Sequence, residues 1–129
     1  MRKNVASGSP WEDVVGYSRV VSVADSAWVA GTTATVEGRV VGIGDPYEQA
    51  RVAFEIAIDG LRSAGFEAAD VVRTRMFVTD IDHFDAVGRA HSEVFDAVRP
   101  VATMVEVSRL AMPEHLVEIE LDARRASRG

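Results

Sequence analysis

Glu118 and Glu120 stand two residues apart in LVEIELDAR, so an extended backbone sets both carboxyls on one face of a strand. Carboxyls that share a surface oppose each other's ionisation, which raises one pKa and supplies a general acid or base. The same spacing also describes a solvated strand face with arginine neighbours, and both readings stand on the residues alone. His91 falls among Val87, Val94 and Phe95. There an imidazole is more often a packed ring bonded to a carbonyl than a catalyst. Glu106 in MVEV is either a buried acid or an acceptor for an adjacent strand. Arg73 and Arg75 either line a channel or bridge acids of neighbouring subunits, and interface pairing is the simpler reading. The chain has no cysteine, which excludes disulfides, thiolate zinc sites and cysteine nucleophiles and suits the cytosol. HExxH, CxxC and phosphate-loop spacings are absent, so neither a metal nor a nucleotide cofactor is expected.

These residues need a scaffold, and 129 residues are enough for one domain with its own core, 1–129. Hydrophobic residues at 47% and charged residues at 26% describe a folded chain. A formal charge of −6 opposes phosphate attraction, so no nucleic-acid partner is expected. The basic cluster of Arg124, Arg125 and Arg128 is too short to change that. No apolar run has the length of a membrane span, and residues 1–14 read as a loose N-terminal segment.

Tyr17 to Ala24 and Ala27 to Thr33 are valine-rich strands joined through Asp25 and Ser26 as a hairpin, and Arg39 to Ile43 is a small strand at most. Asp45 and Pro46 form an N-cap and first-turn proline for a helix that Gly65 stops. Its buried stripe is Ala50, Ala53, Phe54, Ala57, Ile58, Leu61 and Ala64. Between Asp70 and Thr79 the period becomes two, with Val72, Thr74, Met76 and Val78 on one side. Asp80 or Asp82 caps a second helix reaching about Val98, with Phe84, Val87, His91, Val94, Phe95 and Val98 as its stripe. Pro100 ends it, and strands follow at Val101 to Ser108 and Leu116 to Arg124. The order β-β-(β)-α-β-α-β-β is an α+β pattern: a mixed sheet with both helices on one face, or two ferredoxin-like halves. Bulky residues on both faces of the Asp70 to Thr79 strand favour the first, with the uncovered face packed on another copy.

Several motifs together resemble the YjgF, or reactive intermediate deaminase (RidA-like), family. They are Gly16-Tyr17-Ser18, the strand end at Ala30-Gly31, AGFEAADVVRT, MFVTDIDHFDAVGRAHSEVF, Pro100 ahead of MVEV, and the final VEIE. The resemblance covers about Tyr17 to Arg124. It implies a chorismate-mutase-like α+β fold, a homotrimer with a central barrel and outer helices, and small-molecule clefts between subunits. It also implies hydrolysis of enamine or imine acids without a cofactor. By position, Tyr17 matches the cleft tyrosine, Gly31 a backbone contact, and Glu118 the glutamate that places water. The family's clamp arginine, in Pro-Ala-Arg, is Ala102 here, its asparagine is Gly88, its cleft cysteine is Met104, and a common aromatic is His91.

An alanine cannot grip a carboxylate. The expectation is therefore a divergent branch that turns over 2-iminobutanoate or 2-aminoacrylate poorly and prefers substrates lacking an α-carboxylate. A cleft rebuilt around His91, with Arg89 or Arg99 binding the anion, is one hypothesis; a non-catalytic ligand-binding or chaperone-like trimer is the alternative to an enzyme.

Overall fold

Two helices lie on one face of a six-stranded sheet in the computed structural model, which describes residues 1–126. Arg128 lies outside the described residues. The elements are β1 (Arg2–Val5), α1 (Trp11–Val15), β2 (Val20–Val23), β3 (Ser26–Thr32), β4 (Thr35–Val36), β5 (Arg39–Val40), α2 (Pro46–Ser63), β6 (Val71–Val78), α3 (Phe84–Phe95), β7 (Val101–Glu106) and β8 (Val117–Arg124). The sheet order is β1-β2-β3-β8-β6-β7, with β4 and β5 a separate small ladder. Only β6 and β7 run parallel, because α3 carries the chain from one to the other as a crossover. This is the mixed α+β sheet with both helices on one face expected from the sequence.

The caps act as their chemistry requires. Asp45 Oδ1 accepts from the Glu48 amide at 3.1 Å with Pro46 behind it, and α2 then buries Ala50, Ala53, Phe54, Ala57, Ile58 and Leu61. After α2 the chain turns away through Gly65 at φ 88°. Of the two candidate aspartates before α3, Asp80 is the cap: its Oδ1 accepts from the Asp82 amide at 2.9 Å and starts a 3-10 turn that runs into the helix. Val87, Ala90 and Phe95 are the buried residues of α3, while Phe84 is exposed and the helix stops before Val98. One apolar cluster joins both helices to the inner face of β2, β3, β6 and β8.

Five features depart from the sequence expectations. The first residues are not loose, since Arg2 to Val5 pair antiparallel with β2; their side chains are mostly exposed, so a backbone ladder holds them and no apolar pattern announces it. The hairpin turns one residue early, at Ala24 and Asp25, with Ala24 left-handed at φ 53°. A bulge between Val71 and Arg73 breaks the alternation of β6, burying Val71 and turning Val72 outward. Arg73 and Arg75 find acids within the chain: Arg75 lies 3.1 Å from Glu120 and 3.6 Å from Asp122, and Arg73 3.8 Å from Asp122. Glu106 is exposed and accepts from the Ile81 amide at 3.0 Å, tying β7 to the turn before α3.

Among the described residues no helix is long and apolar enough to cross a membrane.

Candidate active site

The site starts from an irregularity in the central strands. β3 and β8 pair at Val29 with Leu121 and next at Thr32 with Ile119, so β3 carries one residue more than β8 over this interval. The surplus is the bulge at Ala30 and Gly31, a device that re-aims side chains locally. The buried Thr32 hydroxyl donates to the Ala30 carbonyl at 2.8 Å, so the bulge has its own hydrogen bond. Gly31 then faces Glu118 so closely that a β-carbon there would lie 2.5 Å from Glu118 Oε2. The missing side chain is what lets the carboxyl settle against β3.

The two carboxyls of β8 live in different surroundings. Glu120 is paired with Arg75, whereas Glu118 has no ion pair among the described residues. Burial pushes the Glu118 pKa up, the Glu120 charge adds to this, and Arg19 partly opposes it. A carboxyl held above its ordinary range is a stronger base than a free carboxylate and is better suited to take and return a proton.

Glu118 lines a cavity of about 730 Å³ together with Tyr17, Gly31, Arg19, His115 and Trp11. Arg19 is half-buried just ahead of β2, and its Nη1 donates to Thr32 Oγ1 at 2.8 Å. Its stem crosses α2 at Gly60, where a β-carbon would lie 3.2 Å from Arg19 Cγ. Burial lowers the Arg19 pKa, with Tyr17, Glu12 and Glu118 acting the other way; the guanidinium stays charged at any physiological pH. His115 is 5% exposed; its Nε2 lies 2.8 Å from Thr35 Oγ1, and its Nδ1 has no partner among the described residues. Burial lowers its pKa, so the ring is neutral at pH 7.

The surrounding frame is polar and well bonded. The buried Gln49 amide donates to the Gly42 and Glu114 carbonyls at 3.1 and 2.9 Å and accepts from the Leu116 amide at 2.9 Å, fixing the entry to β8. At the rim, Glu12 accepts from the Ser7 and Gly8 amides at 2.8 and 3.2 Å, and the Ser7 hydroxyl and amide hold its carboxyl below the usual range. Among the described residues, no three His, Asp or Glu side chains gather as a metal-ligating set.

Of the residues singled out in the sequence, Tyr17, Gly31 and Glu118 share this cavity. The others lie towards the β7 and α3 edge. Gly88 and His91 belong to α3, and Ala102 and Met104 to β7, which β6 separates from β8. His91 is a packed ring: Nε2 is 2.8 Å from Thr74 Oγ1, Phe54 meets it edge-on at 5.6 Å, Phe95 lies 4.8 Å away, and burial lowers its pKa. Arg99 folds back on Asp96, to its carbonyl at 2.7 Å and its carboxylate at 2.9 Å. Arg89 stacks 4.2 Å over Tyr47. Neither arginine lines the Glu118 cavity; the cation there is Arg19.

Sequence reasoning missed Arg19 and His115. An isolated glycine inside a strong helix pattern, Gly60, was the available signal for a close approach.

A family profile described as endoribonuclease L-PSP matches residues 9–125. A Streptomyces coelicolor protein is 43% identical over 125 residues, spanning 97% of this chain and 93% of that protein. Among solved structures, a Mycobacterium tuberculosis member of the YjgF/YER057c/UK114 family superposes with a TM-score of 0.89 at 44% identity, covering 97% of this chain and all of that one. The YjgF gene product of E. coli superposes at 0.79 with 26% identity, covering 95% and 94%.

Proposed function

The chain belongs to the endoribonuclease L-PSP family, which includes the YjgF and UK114 proteins, and from that premise we propose that it is a cytosolic small-molecule hydrolase cleaving an imine, enamine or related C–N compound. The observation that carries the reading is the Glu118 carboxyl, seated against Gly31 in the cavity wall with its pKa raised by burial. Hydrolysis of an imine needs a base that takes a proton as water adds to carbon and returns one as nitrogen leaves. Glu118 fills both roles in turn: water's oxygen bonds to the imine carbon, the nitrogen is protonated, and collapse of the carbinolamine expels ammonia and leaves a carbonyl. Tyr17 and the Gly31 backbone orient the substrate beside it.

We assign the working form as a homotrimer. The face of the sheet away from the helices bears Trp28, 47% exposed, beside the Arg75 and Glu120 pairs, and packing such faces together makes a central barrel. The edge carrying Gly88, His91, Arg99, Ala102 and Met104 then closes the cavity of a neighbour. RNA cleavage is a weaker reading, because a chain of net charge −6 lacks the basic footing for a polyanion.

The test generates imines with an amino-acid oxidase, traps them with semicarbazide, and follows their removal by wild type and Glu118→Gln. Faster removal by wild type alone supports the hydrolase. No removal across the panel, with ligand binding retained, supports a binding protein instead. Light scattering at micromolar concentration checks the trimer, and a monomer mass would refute it.

A further inference from the structure

The expected clamp position is an alanine, yet the Glu118 cavity is not without a cation. Arg19 reaches it from the start of β2, and among the described residues the guanidinium has one hydrogen bond, to Thr32, and no carboxylate at ion-pair distance. Most of its donor fork is therefore unused. Its remaining nitrogens are not among the buried unpartnered atoms, so they are open and available to an anion with matching planar geometry.

Other cavity residues describe the rest of the ligand. His115, almost wholly buried, lines the same wall with Nε2 held by Thr35, and so gives that side of the cavity a fixed, neutral ring. Trp11, Val15 and Met112 add an apolar side, with Trp11 58% exposed and so available for contact. A cavity of about 730 Å³ falls in the range of roughly 300–1,000 Å³ that suits ligands well above the size of a three-carbon acid.

We propose that Arg19 is an anion-binding and specificity-determining residue, and that the cavity takes a monocarboxylate with a bulky apolar body, its carboxylate on Arg19 and its body against Trp11. This deepens the reading of the Glu118 cavity as the ligand site and rests on it. It also reverses the expectation of a substrate without a carboxylate. The clamp's part is then taken by a guanidinium from the segment just ahead of β2.

The test is calorimetric titration at neutral pH with 3-phenylpropanoate, 3-phenylpropanamide and propanoate, which need no turnover. Wild type is expected to favour 3-phenylpropanoate over both others by about tenfold or more, as a charge-assisted fork and a buried ring each require. Arg19→Gln should bring acid and amide to within about twofold, Arg19→Lys should keep part of the preference, and Trp11→Ala should weaken 3-phenylpropanoate but not propanoate.

Equal binding of acid and amide by wild type overturns the proposal, whether or not the Arg19 variants fold. So does an acid preference that survives in folded Arg19→Gln, and so does no binding of any probe at millimolar concentration. Wild type that keeps the acid preference but removes no imine in the trapping assay overturns the catalytic reading alone, and wild type that removes imines without an acid preference overturns this one alone.

Discussion

Replacing Gly31 by alanine tests the geometry of the site more directly than removing Glu118. The φ of Gly31 lies outside the left-handed region, so alanine can adopt the same backbone. Its β-carbon, however, would lie 2.5 Å from Glu118 Oε2, whereas ordinary contact begins at 3.4 Å. The carboxyl must therefore retreat by the difference, about 0.9 Å. It is the free end of a flexible side chain, so the fold can absorb the shift at little cost. The chemistry cannot: a misplacement of about 1 Å at a reacting centre costs on the order of 10²-fold in rate, or about 2.7 kcal/mol of barrier. In the opposite sense, removing glycine from a strand interior stabilises by roughly 0.5–1 kcal/mol, enough to raise Tm by a few degrees. The expected phenotype is a Gly31→Ala protein with unchanged or higher Tm by calorimetry and, for the proposed reaction, imine removal about a hundredfold slower in the trapping assay. Activity within about twofold of wild type would refute the claim that Glu118 must sit against β3. A fall in Tm matching the fall in rate would refute the claim that the effect is confined to the carboxyl.

Further outcomes follow from the same geometry. Because burial raises the folded-state pKa of Glu118, its contribution to stability is fully present below the unfolded pKa and is lost as pH rises through the folded one. Glu118→Gln removes that loss, so its Tm should exceed wild type at neutral pH, with the gap closing as the pH falls through the folded pKa towards 4.5; a gap independent of pH would contradict the burial argument. Gly60→Ala gains about 1 kcal/mol of helix propensity, but its β-carbon would sit 3.0 Å from the buried Val20 Cγ2 and 3.2 Å from Arg19 Cγ. Overpacking of about 1–3 kcal/mol should win, giving a lower Tm and weaker binding of 3-phenylpropanoate. Asp45→Ala should cost about 1 kcal/mol in urea titration, through loss of the bond to the Glu48 amide, without changing the preference for acid over amide.

The sequence was most legible where one residue type has one mechanical use. Asp45-Pro46 and Gly65 bracket a helix because a capping acceptor, a missing N–H and a positive φ each fit few other places. The period-two strand at Val71–Val78 was legible in its extent but not in its faces. A bulge between Val71 and Arg73 leaves composition untouched while reversing which valine is buried. The edge pairing of Arg2–Val5 was invisible for a related reason, because a ladder made by backbone groups writes nothing into side-chain pattern.

The same distinction explains the candidate site. Glu118 and Gly31 lie far apart in sequence, and what joins them is the bulge in β3, a register shift that no local pattern encodes. Arg19 is harder still, because a lone arginine before a valine run reads as a solvated strand entrance. Its place in the cavity depends on a glycine in the middle of α2, on a buried threonine two residues past the bulge carbonyl, and on the strand order that sets β2 beside β3 and β3 beside β8. Once those three are known, the alanine at position 102 no longer implies that the Glu118 cavity lacks a cation. The charge requirement of a site can be met from any strand whose side chain reaches the cavity, so a missing motif residue removes one route to that charge and leaves the chemical need in place.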